Sequence, residues 1–226
     1  MALDVYGTTK TNNRAGVFLV AVQVLLILAA FSMLGFGLLP KTTVDKALLG
    51  AATIAILSFN LLTFGRFFLT LFVFLKRRSS ADELIAVPIA FGVYYVGFLY
   101  LLYLGGTPSV TGITLGSALF LCGGLLNTLS EYQRHKWKRS PGNAGRLCRT
   151  GIYSLTRHPN YFGDVLWVLG YALVTGNDWS LLIPGLLLIF FWKGNIPLQE
   201  KHLLEKYGDQ MSDYIKNTKS LIPFIL

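Results

Sequence analysis

Charge is what this sequence most conspicuously lacks. Only 14% of its 226 residues are Asp, Glu, Lys or Arg, against roughly 25% in a soluble domain. That leaves too little polar surface to clothe a fold surrounded by water. Cysteine is nearly absent as well. Cys122 lies in an apolar run and Cys148 in a basic stretch, a spacing that fits neither a disulfide framework nor a metal site, so both read as free thiols. His135, His158 and His202 share no metal-ligand spacing, and no metal is expected. No internal repeat or low-complexity run is visible, which argues against a solenoid or a disordered linker.

What the chain has in abundance is apolar length. It is 53% hydrophobic with a mean hydropathy of +0.54, and a membrane-crossing helix needs about 20 mostly apolar residues. Six stretches qualify: Ala15 to Leu39, Ala47 to Leu75, Leu84 to Leu104, Thr111 to Leu129, Phe162 to Val174 and Trp179 to Trp192. The last two are short and read as a tilted pair joined by Thr175-Gly176-Asn177-Asp178. The second is long enough to tilt strongly or to break near Asn60 and Gly65. The first exceeds the length of a signal-peptide core and no small-residue cleavage site follows it, so it reads as a retained span. The expectation is an all-α polytopic integral membrane protein with about six transmembrane helices. It forms a single membrane domain over 1–226, with apolar helices over 1–129 and the chemistry-bearing half over 130–226.

The basic residues set an orientation. With six spans, one side receives Lys10, Arg14, Lys76, Arg77, Arg78, the cluster from Arg134 to Arg157 and everything from Lys193 onward, while the other receives Lys41 and Lys46. By the positive-inside rule the rich side faces the cytoplasm or its organellar equivalent. Both termini are expected there, in the endoplasmic reticulum or an organelle membrane. The net charge of +9 is then a topology signal, and nucleic-acid binding is not expected.

Polar groups within spans are functional candidates by default. Gln23, Asn60 and Arg66 are such groups; they read as helix–helix hydrogen bonding with a snorkelling arginine, or as the lining of a polar ligand site. The richest segment runs from Ser130 to Asp164. Arg134, Arg139, Arg146 and Arg157 offer guanidinium forks suited to phosphate or carboxylate. Tyr132, Trp137, Tyr153 and Tyr161 offer faces for a planar ring, and Asn160 can both donate and accept. Pro159 suits a helix start, whose free N–H groups favour an anion. Together these suit a nucleotide-like cofactor. A juxtamembrane belt touching anionic membrane lipids accounts for the cations at least as well.

The strings Gln133-Arg134-His135-Lys136-Trp137-Lys138, Pro141-Gly142-Asn143, Gly151 and Arg157-His158-Pro159-Asn160-Tyr161-Phe162-Gly163-Asp164 resemble the steroid 5-alpha-reductase C-terminal-like family. The tail resembles it too, through Ile196-Pro197-Leu198-Gln199-Glu200-Lys201, Tyr214, Thr218 and Ile222-Pro223. The resemblance covers about residues 130 to 226. It extends to the sterol C14 and delta-7 reductases and, more loosely, to the isoprenylcysteine carboxyl methyltransferases. It implies a helical membrane enzyme with its cofactor at the cytoplasmic ends of the last helices. The cofactor is NADPH in the reductase branch and S-adenosylmethionine in the methyltransferase branch. Carried onto this sequence, the cofactor-binding residues are Arg134, Lys138, Arg146, Tyr153, Arg157, His158, Asn160, Tyr161, Asp164, Glu200, Tyr214 and Lys219.

Asn160 and Asp164 favour the reductase branch, in which a lipophilic small molecule, sterol-like or isoprenoid, is reduced at a carbon–carbon double bond. Glu200 stands where the methyltransferases carry the first of two acids, but Lys201 takes the place of the second. The steroid reductases' substrate-polarising acid and tyrosine have no match in the N-terminal half, and no acid lies in the first four spans. A phenol from Tyr94, Tyr95, Tyr100 or Tyr103 is the expected substitute. The remaining class is a descendant without catalysis, serving as a structural subunit of a larger membrane complex.

Overall fold

The computed structural model describes residues 13–74 and 81–226. The protein is an all-α polytopic membrane protein, 81% helical, with no strand among the described residues. In a bilayer the backbone must satisfy its own hydrogen bonds, and a helix does so within one segment. The helices are α1 (Asn13–Gly35), α2 (Lys46–Leu69), α3 (Ala81–Gly92), α4 (Phe98–Tyr103), α5 (Val110–Arg139), α6 (Pro159–Thr175), α7 (Leu182–Ile189), α8 (Ile196–Tyr207) and α9 (Asp209–Asn217). π-helical turns over Thr70–Phe74, Val93–Gly97 and Phe190–Asn195 extend or join them.

Among the described residues, five continuous helical stretches are long and apolar enough to cross a membrane: Arg14–Gly35, Lys46–Phe74, Ala81–Tyr103, Val110–Arg139 and Asp178–Tyr207. The fifth expected span, Phe162 to Val174, corresponds to α6, whose 17 residues measure about 26 Å, slightly under a hydrocarbon core of about 30 Å. By contrast α5 has 30 residues, about 45 Å, so it carries Ser130–Arg139 well past its apolar part. The second span does not break: α2 runs uninterrupted through Asn60 and Gly65. It starts where Asp45 caps it, the carboxylate accepting from the backbone N–H groups of Ala47 (2.9 Å) and Leu48 (3.0 Å), as helix N-termini favour. Lys10 and the run Lys76-Arg77-Arg78, invoked for orientation, lie outside the described residues.

Two compact units divide the chain: residues up to Ala118 with Gly170–Leu181, and Leu119–Leu169 with Leu182–Leu226. The first is centred on aromatic rings. Phe98 stacks on Tyr171 at 5.1 Å, Phe59 meets Tyr171 edge-on at 5.1 Å, and Phe91 meets Tyr95 at 5.3 Å. Threaded through it is a buried polar chain. Tyr171 donates its hydroxyl to Asn60 Oδ1 (2.9 Å), Asn60 Nδ2 donates to the Tyr95 carbonyl (3.2 Å), and the Tyr95 hydroxyl donates to Gln23 Oε1 (2.8 Å).

The second unit is held by a near-contact of backbones. A Cβ on Gly123 would stand 2.5 Å from the Trp167 nitrogen and 2.6 Å from the Gly163 carbonyl oxygen. Only glycine lets this part of α5 approach α6 so closely, as small residues do in membrane helix packing. Apolar clusters then fix the tail. Phe191, Ile196 and Leu221 pack with Tyr161 and Phe162, and Leu147, Met211 and Tyr214 pack with Leu203 and Tyr207.

Candidate functional site

The residues singled out at the basic end gather in the second unit, and the long extension of α5 is their platform. Glu131 and Arg134, one turn apart, form an ion pair there, with Glu131 only 8% exposed. The same guanidinium lies within electrostatic range of Tyr153 and Tyr161. Gln133, on the next face, uses its amide as a peptide group would. It donates to the Thr150 carbonyl and accepts from Ile152 N–H at 3.1 Å. The loop it clamps passes so close that a Cβ on Gly151, whose φ is +59°, would stand 2.7 Å from that amide. Glycine is required here both by conformation and by space.

Before α6 the chain runs alongside the tail. Arg157 and His158 donate their backbone N–H groups to the carbonyls of Lys219 (2.9 Å) and Ser220 (3.0 Å). Thr156 Oγ1 bonds the carbonyls of Ser220 and Leu221, each at 2.9 Å. The Arg157 guanidinium turns inward. Its Nε donates to Glu200 Oε1 at 2.7 Å, and its Nη1 donates to the carbonyls of Ile215 and Thr218. The same Glu200 oxygen lies 3.1 Å from His158 Nε2. All three side chains are largely withdrawn from solvent, Arg157 at 10%, His158 at 3% and Glu200 at 15% exposure. Burial lowers the His158 pKa below the usual imidazole value, although the Glu200 hydrogen bond and charge act in the other direction. The ring is therefore neutral near pH 7, with its Nε2–H donated to the carboxylate. His158 stacks with Tyr161 at 5.6 Å, and Tyr161 with Phe191 at 4.4 Å.

Other expected residues have structural employment. Tyr214 donates its hydroxyl to the Tyr153 carbonyl and, at 3.3 Å, lies near that of Thr156. Burial raises the phenol pKa of both Tyr153 and Tyr214, so each stays a neutral donor. Asp164 Oδ1 accepts from Asn127 Nδ2 and Trp167 Nε1, each at 2.8 Å, and Asn127 also holds the Asn160 carbonyl at 3.2 Å. Asn160 is thus placed through its backbone, at the first turn of α6. Lys138, Arg146 and Lys219 are exposed and form no ion pair among the described residues. Lys138 stands within electrostatic range of Arg134 and Lys206.

The four candidate phenols lie in the first unit and in unlike surroundings. Tyr95 is fully buried in the polar chain, Tyr94 is buried against Phe98, and Tyr103 faces Thr53 Oγ1 at 3.2 Å, whereas Tyr100 is 40% exposed. Sequence reasoning assigned no role to Glu131, Gln133, Asn127, Thr156 and Gln199, although Gln133 and Gln199 stand in the strings that carry the resemblance. The i,i+3 spacing of Glu131 and Arg134 was the available signal; the others are recognisable only from partners distant in sequence. Gln199 Oε1 is buried with no hydrogen-bond partner among the described residues, one position before Glu200. No group of three His, Cys, Asp or Glu among the described residues is arranged to hold a metal.

These features define a helical membrane protein whose basic end combines unspent cations, aromatic faces and a buried arginine–glutamate–histidine cluster. The family described as "Protein of unknown function (DUF1295)" matches residues 96–219, more than half of the chain, and the chain belongs to it. Similarity extends to two kinds of named protein. The "Protein-S-isoprenylcysteine O-methyltransferase" of Schizosaccharomyces pombe is 38% identical over 79 residues, 35% of this chain and 34% of that protein. The human "3-oxo-5-alpha-steroid 4-dehydrogenase 2" is 32% identical over 130 residues, 56% of this chain and 49% of that protein. The rat "3-oxo-5-alpha-steroid 4-dehydrogenase 1" is 32% identical over 112 residues, 49% and 41% respectively. The chain therefore spans a third to a half of the length of these curated relatives.

Proposed function

We propose that this protein is a membrane enzyme that uses NADPH to reduce a carbon–carbon double bond in a sterol-like or isoprenoid lipid. The observation that carries the choice is the surplus of uncommitted cations. Lys138, Arg146 and Lys219 are exposed and without an ion pair among the described residues. NADPH brings a pyrophosphate and a 2′-phosphate, which such groups match. S-adenosylmethionine carries no phosphate and would leave them unused. The fit extends to one neutral group: the unpartnered Gln199 Oε1 is an acceptor of the kind that a carboxamide or an adenine amino group requires. The buried Arg157–Glu200–His158 cluster would act indirectly, by fixing the start of α6 that carries Asn160. When bound, NADPH supplies a hydride.

Hydride addition to a conjugated double bond builds negative charge on the conjugated partner, so a protein donor must meet it. Of the four candidate phenols, Tyr95 best suits that role, because its hydroxyl is already buried in a polar chain. The basic side is assigned to the cytoplasm or its organellar equivalent.

Calorimetry of the purified protein with NADPH, NADH and S-adenosylmethionine tests the reading. NADPH is expected to bind more tightly than NADH. Lys138→Ala and Arg146→Ala should each weaken NADPH by about tenfold, the scale of one charge-assisted hydrogen bond. Tyr95→Phe should abolish reduction of a sterol enone while leaving NADPH affinity unchanged, and Tyr100→Phe should do neither. Methyl transfer to a lipid or prenylated thiol is the second reading, favoured by the 38% identity with the fission-yeast methyltransferase. Binding of S-adenosylmethionine alone would establish it over the first.

A further inference from the structure

Beyond the stretch that pairs with Arg157 and His158, the tail folds into a tight turn. Leu221 N–H donates to the Leu226 carbonyl at 2.7 Å, and the N–H groups of Ile225 and Leu226 both donate to the Ile222 carbonyl at 3.1 Å. Closure on these bonds holds Phe224 at a φ of +65°, and no other non-glycine residue has a positive φ among the described residues. That region of backbone space is disfavoured for an aromatic residue and persists only where the surrounding structure dictates it. The result leaves Phe224 80% exposed and Ile225 74% exposed.

Single apolar residues on a surface are ordinary; the placement of these two is not. Leu221 is fully buried with Phe191 and Ile196, and Ile222 packs on the same cluster beside Leu187 and Leu188. Leu187, Leu188 and Phe191 belong to the membrane-crossing stretch Asp178–Tyr207. The turn is therefore seated against the wall of a span. On that stretch Leu186, Ile189 and Phe190 are exposed, which in a spanning helix is surface given to lipid. Trp192 follows, with Lys193 Nζ 3.8 Å from the centre of its ring, a pairing suited to the level where a span meets the head groups. Phe224 and Ile225 continue this lipid-facing surface at its basic boundary. Lys216, exposed, lines the same cavity as Ile225, and an apolar pair flanked by a lysine suits the lipid–water interface.

We propose that the turn Leu221–Leu226 is a membrane anchor, with Phe224 and Ile225 inserted into the leaflet on the basic side. Its effect reaches the candidate site through the backbone. Arg157 and His158 donate their N–H groups to Lys219 and Ser220, the two residues before the turn. Ile225 and Leu226 also form part of the wall of a cavity of about 370 Å³ that Arg157 lines. The leaflet thus holds the stretch that in turn holds the start of α6. The anchor goes beyond the reductase reading and requires neither NADPH nor S-adenosylmethionine.

Insertion is tested on the full chain in phosphatidylcholine vesicles, with a nitroxide label on Ile225→Cys or, on the exposed side of α9, on Asp213→Cys, both with Cys122→Ser and Cys148→Ser. The Ile225→Cys label should collide with dissolved oxygen more than with a water-soluble nickel chelate, and with the chelate several-fold less than the Asp213→Cys label does. Should these variants fail to fold, photolabelling of the wild type decides instead: phosphatidylcholine carrying a diazirine on its acyl chain should leave adducts on Phe224 or Ile225. The coupling is read with Phe224→Asn and Ile225→Ser combined, asparagine being among the side chains that best tolerate a positive φ. Deuterium exchange at the Arg157 and His158 amides should then rise several-fold, with the rise confined to the second unit. Equal chelate collision at the two positions, spin–spin broadening from a second copy, absence of lipid adducts, or an exchange rise that is missing or spread equally over α2 each overturns the proposal.

Discussion

Glu200 is the residue whose removal tests the candidate site most sharply, because one oxygen serves two partners. Its Oε1 accepts from Arg157 Nε at 2.7 Å and stands 3.1 Å from His158 Nε2. Replacing it by leucine strands a guanidinium that is nine-tenths buried, with only the Ile215 and Thr218 carbonyls left to it. Breaking a buried pair from one side costs about 3–5 kcal/mol. Glu200→Gln keeps an acceptor and loses the charge, so it should cost about 1–2 kcal/mol, the difference between charged and neutral hydrogen bonds. The double variant Arg157→Leu with Glu200→Leu removes both charges together, and such replacements are often neutral. It should therefore recover most of the loss seen in Glu200→Leu. Thermal unfolding in one fixed detergent would read the series, with the glutamine variant between wild type and leucine. If the double variant is no more stable than Glu200→Leu alone, the two side chains are not coupled and the reading of the cluster fails.

Three further outcomes follow from the geometry. Gly123→Ala should prevent accumulation of folded protein, since its Cβ would meet backbone atoms of α6 at 2.5 and 2.6 Å. Gly65→Ala, with nothing within 4 Å, should be tolerated or stabilise by up to about 1 kcal/mol; size-exclusion profiles would separate the two. His158 is held below its unfolded pKa of about 6.5 by burial, against Glu200 and alongside Arg157 and Arg134. The unfolded chain therefore takes up this proton first, and the stability the neutral ring contributes is present above about pH 6.5 and lost as pH falls through the folded value. Unfolding between pH 5 and 8 should show that slope in wild type and a shallower one in His158→Gln. Gly151→Ala should loosen the Gln133-clamped loop and raise proteolysis there, whereas Gly142→Ala, in open space, should not.

Hydropathy revealed the spans because the bilayer fixes how long an apolar helix must be, and that constraint is local. The start of α6 at Pro159 and the turn after Thr175 were legible for the same reason, through residues with restricted backbone behaviour. What a one-dimensional reading could not reach were partners. Arg157 looks like a phosphate ligand in sequence, yet much of its donor capacity goes to Glu200, 43 positions later, and to tail carbonyls. Tyr214, expected from the resemblance among the cofactor-binding residues, is employed as a hydrogen-bond donor to the backbone. Gln23 stood out as polar, but its partner Tyr95 lies 72 residues away. The π-helical turns escaped notice because their widening leaves no mark on composition.

The pairing of the pre-α6 segment with the tail also has a consequence for biogenesis. Arg157 waits for the carbonyl of Thr218, 61 residues downstream, and at about 5–20 residues per second a ribosome needs roughly 3–12 s to supply it. For the first 43 residues of that interval α6 can enter the bilayer while the guanidinium lacks Glu200, and until residue 218 it still lacks the carbonyl of Thr218. The nascent chain is thus obliged to keep this stretch at the lipid–water boundary until the tail arrives. A stop introduced before residue 218 would leave a protein with its spans in place and an arginine that quality control can recognise as unfinished.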